Sequence, residues 1–110
     1  MTRDDFRRLT QPTAIPVALP GGGECFVRKL PLGVAAAIET GDPTAFLVDL
    51  VQLATCDANG ERVFGPDDRQ LVAELPFDVA STIAKRAAEV NAFAKEARAA
   101  LGKESAPTAT

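Results

Sequence analysis

The sequence predicts an α+β domain, mainly α-helical, with a β-hairpin near its N-terminus. Three observations carry this. Ile15, Val17 and Leu19 alternate along the chain and run into Pro20 and three consecutive glycines, after which Cys25, Val27 and Leu30 are apolar again; two strands joined by a tight turn give that pattern. From Phe46 onward, apolar residues recur at intervals of three and four, the helical period. The chain has 110 residues, 46% of them apolar and many of those Ala, which fits one domain with a thin, helix-rich core.

Residues 1–12 read either as a flexible arm or as a short helix over 2–10. In the helical reading Thr2 caps, Asp4 and Asp5 sit at the positive end of the helix dipole, and Phe6 and Leu9 touch the body. Pro16 places the first strand at a sheet edge. The run Gly21-Gly22-Gly23 lacks the following Lys-Ser/Thr of a phosphate loop and the Gly spacing of a dinucleotide site, so it is a turn. Pro31 to Thr40 is expected as a short helix stopped by Gly41. Asp42-Pro43 supplies an N-cap and a proline at the first helical position. The helix that follows reaches about Thr55, with Phe46, Leu47, Leu50, Val51 and Ala54 as its buried stripe.

Residues 56–68, CDANGERVFGPDD, invite comparison with a calcium loop. Counting from Asp57, Asn59 and Glu61 fall at ligand positions three and five. However, Arg62 stands where the sharp-turn glycine belongs and Asp68 where the bidentate Glu belongs. The turn reading fits better: Asn59 and Gly60 both accept positive φ and reverse the chain. Arg62-Val63-Phe64 then returns as an extended piece anchored by Val63 or Phe64. Gly65-Pro66-Asp67-Asp68 opens a helix with its carboxylates at the positive dipole end, and that helix ends near Leu75-Pro76.

A longer helix is expected from Phe77 or Asp78 to Leu101, stopped by Gly102. Ile83, Ala87, Val90, Ala94, Ala97 and Leu101 are spaced four, three, four, three, four along it, a heptad-like seam with small residues that admit another helix closely. The seam serves either the protein's own core, the leading reading, or a partner helix. The candidate partner-binding residues are Val90, Phe93, Ala94, Ala97 and Leu101, with Phe93 lying off the seam. Residues 1–101 thus form one domain, and 102–110, polar and Pro-containing, a disordered tail. The expected core is Val17, Leu19, Val27, Leu30, Phe46, Leu50, Val63, Phe64, Leu71, Leu75, Ile83 and Val90.

Composition narrows function. A net charge of −3 argues against a nucleic-acid partner, whose footprint is basic. The chain has no His, which removes the commonest general base and metal ligand and any Ser-His-Asp or Cys-His arrangement. Cys25 and Cys56 match no metal or redox spacing and are expected as free thiols in a reducing compartment. No cofactor or metal site is expected, and no enzymatic activity. No apolar run reaches membrane-spanning length, and MTRDDFRRLT lacks the apolar centre of a signal peptide, so a cytoplasmic location without membrane attachment is expected.

The order of elements adds a resemblance. A hairpin ending in VRKL is followed by a helical stretch, then D-x-N-G-E-R-V-F, an acidic helix start, and LVAELPFDVASTIAKRAAEVN. Over roughly residues 15–93 this resembles the tail assembly chaperones of long-tailed bacteriophages, prophages and gene transfer agents. Gly65 stands where that family usually has a Ser or Thr cap, and the last helix is richer in Ala. The resemblance implies a small, mainly helical, non-catalytic protein of the bacterial host cytoplasm, absent from the mature particle. Such a protein binds the tape measure protein and keeps it soluble while tail tube subunits assemble, with a longer frameshifted form in many phages. It also implies self-association or client binding. A structural tail connector or completion protein, or a generic helical interaction module, is the alternative.

Overall fold

The hairpin forms as predicted. In the computed structural model, which describes residues 1–105, β1 (Ile15–Ala18) and β2 (Glu24–Val27) pair antiparallel, with Ile15 opposite Val27 and Ala18 opposite Glu24. The Leu19 N–H donates to the Gly23 carbonyl at 3.0 Å and the Gly22 N–H to the Leu19 carbonyl at 3.2 Å. Gly21, Gly22 and Gly23 all have φ between 81° and 104°, a left-handed run that only glycine adopts without steric cost. Ile15, Val17, Cys25 and Val27 share one face of the pair, and Val17 and Val27 are buried there. Pro16 lies in the edge strand of the β1-β2-β3 sheet, where its missing N–H interrupts no inner ladder.

Preceding the hairpin is α1 (Arg3–Leu9), a capped helix none of whose residues is buried. After the hairpin, α2 spans Leu32–Ala36, shorter than the Pro31–Thr40 expected. The Ala37 and Ile38 amides bond three residues back, to Val34 and Ala35. This tightening accompanies the burial of Ile38 in the core.

The centre of the fold is α3 (Pro43–Ala54), which packs on α4, α5 and α6. Its start is the predicted one: the Asp42 carboxylate accepts the Ala45 N–H at 3.2 Å, with Pro43 in the first turn. Its end passes directly into β3 (Thr55–Cys56), which joins the sheet beside β2, Phe26 facing Cys56. This junction leaves the last carbonyls of α3 without helical donors, and neighbours supply them. The Thr55 hydroxyl donates to Val51 O at 2.7 Å, Arg28 Nε to Leu53 O at 3.0 Å and Arg28 N–H to Ala54 O at 3.0 Å.

Residues 57–61 reverse the chain, though not as a two-residue turn. The Gly60 N–H donates to Asp57 O and the Asp57 N–H to Glu61 O, both at 2.9 Å. Among non-glycine residues described, Ala92 alone has positive φ, so Asn59 does not share the left-handed conformation of Gly60. This is the three-residue hairpin loop, a β-turn closed by a left-handed glycine. Arg62 then returns beside Cys56 as an isolated bridge. Phe64 packs on the core, whereas Val63 is 52% exposed. A 3₁₀ turn (Pro66–Asp68) leads into α4 (Arg69–Ala73), and here Val72, not the expected Leu71, is the buried residue.

The main departure from expectation is at the C-terminal half. The expected helix from Phe77 to Leu101 is two helices, α5 (Phe77–Val90) and α6 (Ala94–Ser105), with α6 packed on both α3 and α5. The break is a Schellman motif: Ala92 takes φ +64° and the Phe93 N–H donates to Ala88 O at 2.7 Å. The Asn91 side chain supplies the reason. Its Oδ1 accepts the Leu30 N–H at 2.6 Å, and its Nδ2 donates to Arg28 O at 3.1 Å and Ala87 O at 2.9 Å. One amide thus caps α5 and ties it to the chain leaving β2. Phe93, just past the reversal, meets Phe46 edge-to-face with centroids 5.6 Å apart. α6 also continues through Gly102 to Ser105 rather than stopping there; the remaining tail, 106–110, lies outside the described residues.

Two substitutions at turns should move stability in opposite directions. Ala92→Gly relieves a left-handed alanine and should raise stability by about 1 kcal/mol, whereas Asn91→Ala strands partly buried backbone groups and should cost about 2 kcal/mol or more; urea unfolding of both checks the signs. At Gly60 a Cβ would come within 2.4 Å of the Pro12 Cβ, on a backbone of φ +83°. Gly60→Ala should therefore destabilise by about 2 kcal/mol or more, and Pro12→Gly in the same chain should recover the contact part of that loss but not the conformational part.

Candidate protein-binding groove

Two faces of α3 are apolar. Phe46, Leu50 and Ala54 point into the core, each no more than 1% exposed. Thr44, Leu47, Val48 and Val51, at i, i+3, i+4 and i+7, form a second stripe. On α5, Phe77, Ala80, Ser81 and Ala84 repeat the same spacing. These two stripes form the walls of a cleft of about 250 Å³ whose remaining lining includes Val72, Leu75 and Leu101. A folded core keeps few voids larger than a water molecule, so a cleft of this size is a surface feature. Phe77, at its edge, is 49% exposed.

Polar contacts fix one side of the cleft. The Gln52 amide donates to Gly65 O at 2.8 Å, and the Asp68 carboxylate accepts the Gly65 N–H at 2.7 Å. Arg69 pairs with Asp49 of α3. The Gln52 and Arg69 bonds hold the 3₁₀ turn and α4 against α3, and the Asp68 bond closes the turn itself. With glycine at 65 no side chain caps the turn; the Asp68 carboxylate accepts the Gly65 N–H and the Asp68 N–H donates to the Gly65 carbonyl at 3.1 Å.

The five residues singled out from sequence face inward. Ala97 and Leu101 are buried, Val90, Phe93 and Ala94 are half-buried, and Val90 and Phe93 pack on the core cluster. Of the five only Leu101 lines the cleft. The cleft residues Leu47, Val48, Phe77 and Ala80 were not singled out. From sequence Leu47 reads as part of the buried stripe of α3, and nothing in the spacing of these residues marks them as lining a cleft.

The acidic loop is occupied with its own backbone. The Asp57 carboxylate accepts the Asn59 N–H at 2.8 Å and the Glu61 N–H at 3.0 Å. Among the described residues, no three His, Cys, Asp or Glu side chains are grouped to hold a metal ion. Also among them, no helix is long and apolar enough to cross a membrane. No protein family, curated protein or solved structure matches the chain.

Cys25 and Cys56 are free, the first half-buried and the second buried. Burial pushes both thiols above their ordinary value; Cys56 and Glu24 add to this at Cys25, while Arg28 opposes it at Cys56. The folded protein should therefore react slowly with iodoacetamide at neutral pH, Cys25 before Cys56, with both reacting readily in urea; mass spectrometry over time reads the order. The stability these thiols contribute is present below the ordinary thiol pKa of about 8.5 and is lost as pH rises through their higher folded values.

Proposed function

We propose that this protein is a tail assembly chaperone of the phage type, a non-catalytic holdase in the bacterial host cytoplasm that keeps the tape measure protein soluble and is left out of the mature particle. The observation that carries the reading is the α3–α5 cleft. Its two stripes at helical spacing suit the apolar face of an amphipathic client helix. The order of hairpin, acidic loop and capped helices, which resembles that family, supports the same reading. A long helical client offers many such segments, so contacts weak at each copy add along one chain through effective concentration. Cleft residues such as Ala73, Ala80 and Ala84 offer close approach without a large aromatic patch on the free chaperone. A tail connector or completion protein is the alternative, distinguished by its presence in purified particles.

Co-expression with the tape measure protein encoded nearby tests the reading. The client should stay soluble and copurify with the wild-type chain. Ala80→Glu and Leu47→Glu, which place a charge in the cleft, should reduce copurification about tenfold or more while far-UV circular dichroism stays that of wild type. A client that stays insoluble with the wild-type chain, or copurifies unchanged with both variants, rejects the cleft as the holdase site.

A further inference from the structure

We propose that the cleft has a second occupant, the helix α1 of another copy of this chain. The inference stands without the tape measure reading.

The sequence specifies α1 strongly for an element that buries nothing. The Thr2 N–H donates to Asp5 Oδ2 at 2.8 Å and the Asp5 N–H to Thr2 Oγ1 at 3.3 Å, a full capping box, and Arg8 reaches Asp5 at 3.5 Å. Yet Phe6 is 57% and Leu9 71% exposed. A helix of seven residues is far too short to be stable alone in water; it needs a surface for its apolar side. Arg3, Phe6 and Leu9, three apart, follow one another along that side.

The cleft matches this helix in length and charge. Thr44 to Val51 spans about 10 Å of α3, and seven residues of α1 span about the same. α1 carries three Arg against two Asp, so the acidic excess of the chain lies outside it. Asp5 is committed to Thr2 and Arg8, leaving Arg3 and Arg7 without an ion-pair partner among the described residues. At the cleft end of α4 and α5, Glu74 and Asp78 are exposed and in no ion pair among those residues. Both adjoin cleft-lining residues in sequence, Ala73, Leu75 and Phe77, so apolar side into apolar cleft brings an arginine flank near two carboxylates.

The tether favours exchange between copies. Pro12 lies against Gly60, beside the sheet, and only Thr10 and Gln11 separate it from α1, a slack of about 7 Å. On so short a tether α1 has no substantial packing on any other element of its own chain. Two copies that exchange arms fill both clefts, giving a closed, self-complementary dimer.

Sedimentation velocity on the full chain over a dilution series tests this. The wild type should form a concentration-dependent dimer, and Phe6→Asp and Ala80→Glu should each weaken it about tenfold or more. Phe6 is exposed, so its replacement leaves folding intact. Mixing the two variants provides the decisive arm: one contributes a sound cleft and the other a sound helix, so the mixture should associate more tightly than either variant alone. A wild type that stays monomeric, a Phe6→Asp chain that dimerises as tightly as the wild type, or a mixture no better than its components each overturns the proposal. Phe6→Asp leaves the cleft itself untouched and should still capture the tape measure client, which separates failure of this proposal from failure of the holdase reading.

Discussion

The structure turns on the reversal at Asn91–Phe93. Continued as one helix, α5 would carry Ala97, Ala100 and Leu101 away from α3 rather than onto it. The reversal places Phe93 against Phe46 and brings the second half of the seam back into the core. It is held by a single amide whose three hydrogen bonds join α5, the end of β2 and the approach to α2. A partly buried amide satisfied at both ends is favourable, and one left unsatisfied is costly. That asymmetry offsets the left-handed conformation forced on Ala92. The cleft inherits the same dependence, because Leu101 reaches its lining only when α6 folds back.

Alanine sets how closely the helices approach. Ala54, Ala84, Ala87, Ala88, Ala97 and Ala100 are all buried, leaving the bulk of the core to Phe46, Leu50, Val27 and Val51. Small side chains bring helix axes near the lower end of the usual 8–10 Å range. They also make the interior intolerant of added volume, since extra methylenes in a packed core displace backbone rather than fill space. Leu47 and Val48 pack against this core with one side and line the cleft with the other, and Phe77 stands exposed at its edge. The core's economy and the cleft's apolar character are two sides of one packing solution.

Where local chemistry decides a structure, the sequence shows it. The glycine run of the first hairpin, the Asp42-Pro43 start of α3 and the Pro66 turn each follow from residues within four positions of one another. The α5–α6 break does not. Asn91 and Ala92 are unremarkable inside a helix, Ala being the best helix former, and the seam keeps its heptad spacing across them. What breaks the helix is a bond to Leu30, 61 residues away, and no local pattern encodes that. The choice between Leu71 and Val72 failed for a related reason: in a five-residue helix the buried side is set by where α3 lies. The cleft was not legible: Leu47 and Val51 read as part of one buried stripe on α3, and which part of that stripe stays uncovered depends on where α4 and α5 lie.

The length of α4 explains why the cleft is open at all. Pro76 cannot continue a helix begun at Arg69, and Leu75 before it is biased away from helical geometry, so α4 ends after five residues. A helix one or two turns longer would have apolar side chains to lay across Leu47 and Val48. The short one is instead held to α3 by Gln52, which bonds the turn before it, and by Arg69, which pairs with Asp49. Polar, directional bonds fix an element at a set position, whereas apolar contact alone would let it slide inward and bury the stripe. The apolar stripe of α3 therefore stays uncovered between α4 and α5 because two polar bonds, not apolar packing, set where α4 stands.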